Sequence, residues 1–150
     1  EGVAVNEPEE VDPVHWLDSL SGPERERVLD AMRRIGSKAD VWFRRGQWLA
    51  PRHGEVATGG EHHDLICKAE ALRRFLALLR FGEDPEESAS RAKEYARQSV
   101  AKWNANPRAV SMATGGWPWT LQRWEGLADE TVEDALRQVC RALKGGEAGG

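Results

Sequence analysis

The sequence predicts an all-α single domain, a bundle of about five to six helices built around an antiparallel helical hairpin, and three observations carry that expectation. Apolar residues recur every three or four positions along most of the chain, Gly and Pro residues punctuate the pattern, and no run of alternating β-branched residues is long enough for a strand. A chain of 150 residues with 40% hydrophobic and 31% charged residues has ordinary globular composition. A domain of that size removes about 70% of its unfolded surface from water, enough for one core.

Taken in order, residues 1–11 hold Glu7, Pro8, Glu9 and Glu10 without apolar periodicity and read as an acidic arm. The helical domain is expected over 12–144 and a flexible Gly-rich tail over 145–150. Asp12 can cap the first helix while Pro13 takes its first position, where a missing N–H is harmless. That helix is predicted to reach about Leu20, where Ser21 and Gly22 interrupt it. Pro23 restarts a second helix with Val28, Met32 and Ile35 on one face, and Gly36 supplies a left-handed stop. Ser37 and Asp40 then cap a third segment through Val41, Trp42 and Phe43, ending near Gly46 or Leu49.

Pro51, Gly54, Gly59 and Gly60 mark residues 50–60 as a loop. From Glu61 the chain turns helical again, with Leu65, Ala69, Leu72, Leu76 and Leu79 on one face and Ile66, Phe75, Leu78 and Phe81 widening it. This is the expected central helix. Gly82 ends it, and Asp84, Pro85, Glu86 and Glu87 give a cap, a first-position proline and two acids at the positive end of the next helix. Ala89, Ala92, Ala96, Val100 and Trp103 share a face there, small enough for a neighbouring helix to come close. Residues 61–103 therefore read as the hairpin. After Asn104, Asn106 and Pro107 the periodicity is poor; a short helix from Pro118 to about Glu125 and a last one from about Glu130 to Leu143 fit best.

Charge is distributed unevenly. Residues 1–37 carry nine acids and four bases, 38–123 fourteen bases and ten acids, and 124–150 three bases and six acids. A mildly basic middle thus lies between acidic flanks, although no run of Lys and Arg exceeds two. Two cysteines, Cys67 and Cys140, are too few for a disulfide scaffold, which points to a reducing, cytoplasmic setting. No stretch approaches the ~18 to 20 apolar residues that span a bilayer, so no membrane association is expected.

Seven tryptophans are many for this length. Trp16, Trp42 and Trp103 fall on apolar helix faces and read as core. Trp48, Trp117, Trp119 and Trp124 lie off those stripes, and an indole offers both apolar area and a donor to a partner. His63 and Cys67 are four apart on one helix face, with His53, Glu61, His62 and Asp64 near in sequence, but no second ligand pair completes a metal set. No metal or other cofactor is expected. Phosphate loops, nucleophile elbows, paired zinc-protease histidines and dinucleotide fingerprints are all missing, so no catalytic residue is named.

These readings converge on a non-enzymatic interaction subunit of a larger macromolecular assembly. Its expected protein contacts are Trp117, Trp119, Trp48, Arg44 and Arg45. The alternative is a nucleic-acid-binding accessory protein using Arg44, Arg45, Arg52, Arg73, Arg74, Arg91, Lys93, Arg97 and Lys102 on phosphates, with interleaved tryptophans stacking on bases. Glu70–Arg74 and Glu87–Arg91, each four apart, are expected as intrahelical ion pairs that compete with such a role.

Overall fold

The computed structural model describes residues 15–49, 61–104 and 121–145, the side chains of 61–63, 99–104 and 121–122 lying outside the description. Within these residues the chain forms a 3-10 turn at Trp16–Ser19 and four α-helices, α1 (Gly22–Leu49), α2 (Glu61–Arg80), α3 (Pro85–Asn104) and α4 (Leu121–Leu143), and no strand.

Sequence-local chemistry explains most of the boundaries. Ser21 and Glu24 cap α1 reciprocally: the Glu24 N–H donates to Ser21 Oγ and the Ser21 N–H to Glu24 Oε1. At the other turn, the Gly82 N–H donates to the Leu79 carbonyl and the Glu83 N–H to the Leu78 carbonyl. That pair of bonds needs a residue at positive φ, and Gly82 has φ 105°. Asp84 Oδ1 then accepts from the Glu87 N–H at 2.7 Å and opens α3, as its sequence position implies.

Two expected breaks do not occur. Gly36 does not stop a helix, because α1 runs unbroken for 28 residues and buries Val28, Ala31, Met32, Ile35, Ala39 and Gly46 along one stripe. Continuing that stripe outweighs the roughly 1 kcal/mol that glycine costs inside a helix. Gly36 also faces α2, where an added Cβ would sit 3.6 Å from Leu76 Cδ1. Gly126 likewise lies inside one 23-residue helix instead of between two. The first turns of α4 are held on α2 by Arg123 Nε, 3.1 Å from Asp64 Oδ1, which overrides the local preference. The expected first helix is a 3-10 turn where it is described, with Asp12 and Pro13 outside the description.

Named contacts fix the directions of the helices. Asp40 with Arg73 and Trp42 with Lys68 set α1 antiparallel to α2. Arg97 with Asp129 and Lys93 with Glu133 set α3 antiparallel to α4, whereas Asp64 with Arg123 and Cys67 with Trp124 run α2 and α4 side by side in one sense. α4 packs on all three other helices, while α1 and α3 barely meet among the described residues. The hydrophobic centre is one cluster, with Val28, Ile35, Phe75, Leu79, Val132 and Val139 at 1% exposure or less. Burying each such side chain contributes about 1.5–3 kcal/mol. Ala31, Ala39, Ala92, Ala128 and Ala135 lie between them and permit close helix approach. Trp16 and Trp42 pack at the edge of this cluster. Phe81, expected on the apolar face of α2, stands just past its end and is exposed.

Candidate functional site

Five of the cations expected to contact phosphates, Arg73, Arg74, Arg91, Lys93 and Arg97, are held by other groups. Arg73 reaches Asp40 of α1 at 3.1 Å and lies over the Phe43 ring. Arg74 sits 3.6 Å from the Tyr95 ring centre on α3, not against Glu70. Arg91 turns to Glu83 at the α2–α3 turn instead of to Glu87, Lys93 pairs with Glu133, and Arg97 pairs with Glu94 and Asp129. Their structural work is to fasten neighbouring helices at the rim of the core, which scatters the positive charge. Arg52, Trp117 and Trp119, and the side chain of Lys102, lie outside the described residues.

Arg44, Arg45 and Trp48 do come together. With Val41 they occupy positions i, i+3, i+4 and i+7 of α1, one continuous outer strip away from the buried stripe. Val41 is 55% and Trp48 67% exposed. Arg44 Nε donates to the Asp40 carbonyl oxygen at 3.3 Å, which lays its stem along the helix. Sequence reasoning named Arg44, Arg45 and Trp48 from the residue types but not Val41, and helical phase against Ala39 and Gly46 is the signal that adds it.

Two concavities flank α1. On the α2 side a groove of about 480 Å³ is lined by Met32, Arg33, Gly36, Ser37, Asp40, Arg73, Leu76 and Arg80, three guanidinium groups against one carboxylate. On the α4 side a cleft of about 360 Å³ surrounds Trp42. There the ammonium groups of Lys38 and Lys68 lie 5.2 and 4.5 Å from the centre of the Trp42 ring, a cation–π arrangement supplied by two helices. Sequence reading missed Lys38 and Lys68; the spacing of Lys38 and Trp42, four apart, was legible, whereas the approach of Lys68 depends on helix register.

Cys67 is not placed for chemistry. It is 3% exposed, and its Sγ is 3.9 Å from the Trp124 carbonyl oxygen. Burial, with a smaller contribution from Asp64, pushes its pKa up to about 12, so the thiolate that nucleophilic or ligand chemistry needs is scarce at neutral pH. Among the described residues no group of three or more His, Cys, Asp and Glu could hold a metal ion. His53 and the side chains of Glu61, His62 and His63 lie outside the description. No helix among the described residues is long and apolar enough to cross a membrane.

Comparison with protein-family models, with curated proteins and with solved structures finds no match to this chain.

Proposed function

We propose that this protein is a non-enzymatic interaction subunit of a larger assembly, docking a protein partner through the outer strip of α1. The observation that carries the reading is the exposure of Val41 and Trp48 on one face, two turns apart, with Arg44 and Arg45 between them. Tryptophan and arginine are the residues that most often anchor protein interfaces, because each combines a broad apolar surface with directed donors. Trp117 and Trp119 belong to the same proposal as further anchors. In this reading residues 12–144 are one bundle of five to six helices centred on the α2–α3 hairpin, working in the cytoplasm. The free thiols of Cys67 and Cys140 support a reducing compartment.

The test is site-directed photo-crosslinking in the source cells, with the photoreactive residue at position 48 and, as control, at the exposed position 98 of α3. A discrete, nuclease-resistant protein adduct from position 48 and none from position 98 is the expected result. Adducts of equal yield from both positions, or none from either, overturn it.

The second reading, nucleic-acid binding, is supported by the α1–α2 groove with Arg33, Arg73 and Arg80. Exposed pairs such as Arg33–Asp30 and Arg73–Asp40 are weak and exchange readily for phosphate. A salt series separates the two: phosphate contacts make affinity for DNA or RNA fall steeply with ionic strength, and a nuclease-sensitive adduct from position 48 would favour this reading.

A further inference from the structure

We propose that the cleft around Trp42, where α1, α2 and α4 meet, binds a small organic oxyanion, a carboxylate or phosphate monoester carried on an apolar body. Its volume of about 360 Å³ lies within the range of small-molecule pockets, about 300–1,000 Å³. Ile35, Leu72 and Ala135, each 2% exposed or less, close the floor of the cleft, and the half-buried Trp42 indole forms its apolar wall.

The unused hydrogen-bonding capacity of the lining defines the ligand. Asp134 is already engaged three times, by Gln138 Nε2 at 3.0 Å, Arg137 at 3.4 Å and Lys38 Nζ at 3.8 Å. Lys68, in contrast, makes no ion pair with a carboxylate among the described residues; its contact is the face of Trp42. Thr131 is 8% exposed, and its hydroxyl has no hydrogen-bond partner among the described residues. An ammonium group and a buried hydroxyl are both donors, and what they lack in common is an acceptor, which an oxyanion supplies with charge assistance. Lys38, Lys68 and Arg137 outnumber Glu130 and Asp134 in the lining, so its net charge also favours an anion. The Trp42 indole gives the ligand's apolar body a surface that a bare inorganic ion does not use. This proposal is independent of the interaction strip, which faces outward on α1.

The experiment is a heteronuclear NMR titration of the full chain, following the Ala135 amide and the Trp42 indole N–H, the latter assigned as the indole signal lost in Trp42→Phe. The probes are hexanoate, hexyl phosphate, 1-hexanol, hexylammonium and inorganic phosphate. Saturable shifts at both groups are expected with hexanoate, hexyl phosphate or both at a Kd of about 1 mM or tighter, the range open to ligands of this size. The tighter of the two anions identifies the headgroup. Hexanol, hexylammonium and inorganic phosphate should bind at least about tenfold more weakly. Lys68→Met should weaken the anion at least about tenfold, Lys68→Arg should retain it, and the isosteric Thr131→Val should weaken it several-fold. Should Lys68→Met not fold, the Thr131→Val result decides. Absence of a saturable shift with either anion, equal binding of hexanol, or unchanged affinity in the folded Lys68→Met or Thr131→Val chain overturns the proposal.

Discussion

Arg27 Nε on α1 donates to the carbonyl oxygen of Ala142 at 2.8 Å, and its Nη2 reaches the Leu143 carbonyl at 3.3 Å. One half-buried guanidinium thereby shares the Ala142 carbonyl with the Gly145 N–H, bonds the Leu143 carbonyl, and puts a positive charge at the negative end of that helix. Arg27→Ala should lower stability by about 2 kcal/mol, the scale of hydrogen bonds to a charged group. Arg27→Lys should recover less than half of the loss, because an ammonium cannot fork to two carbonyls. Urea unfolding followed by circular dichroism measures both.

Gly82 gives a second expectation. Its φ of 105° is costly for any L side chain, and an added Cβ would lie 2.9 Å from His15 Nδ1. Gly82→Ala should cost about 2 kcal/mol or more in thermal or urea unfolding, from backbone strain and the clash together. Adding His15→Ala should restore only the part due to the imidazole, because the His15 Cα still lies 3.1 Å from the added Cβ. Full restoration would show that the backbone conformation is not strained.

Cys67 predicts a pH dependence of definite sign. Its pKa of about 12 in the folded chain stands above the ordinary 9.0 of an unfolded thiol. Between these values the unfolded chain has lost the proton that the folded chain keeps, so stability is full below pH 9 and falls as pH rises, by about 1.4 kcal/mol per unit from this group. Subtracting the same series for Cys67→Ala isolates the effect between pH 8 and 10.5. A thiol reagent at pH 8 should likewise label Cys140, which is partly exposed, well before Cys67.

Two phenylalanines six residues apart should differ sharply. Phe75 is fully buried, and Phe75→Ala should cost about 3–5 kcal/mol. Phe81 is 77% exposed, and Phe81→Ala should change stability by less than about 0.5 kcal/mol. Comparable losses at both positions would contradict the placement of the α2 end at Arg80.

The helical class and the α2–α3 turn were legible because local chemistry decides them: Gly82 alone tolerates its φ, and Asp84 and Pro85 open α3 whatever packs around it. The continuity of α1 through Gly36 and of α4 through Gly126 was not, because there the burial of a long stripe and the tie of Arg123 to Asp64 outvote local propensity. Ser21 and Gly22 were read as an interruption, although the spacing of Ser21 and Glu24 is that of a reciprocal cap. In the candidate sites, Arg44, Arg45 and Trp48 could be named from residue type. That Lys68 faces Trp42, and that Arg91 and Lys93 are taken up by Glu83 and Glu133, depends on how helices register against one another, which spacing within one helix does not encode.

The meeting of α4 with each of the other helices has a cost during synthesis. It emerges from the ribosome after them, and until it arrives the alanine-rich apolar faces it covers stay wet. A cut or premature stop in the stretch between α3 and α4 is therefore not a modest shortening. It removes the keystone, and the nascent remainder becomes a substrate for chaperones and proteases.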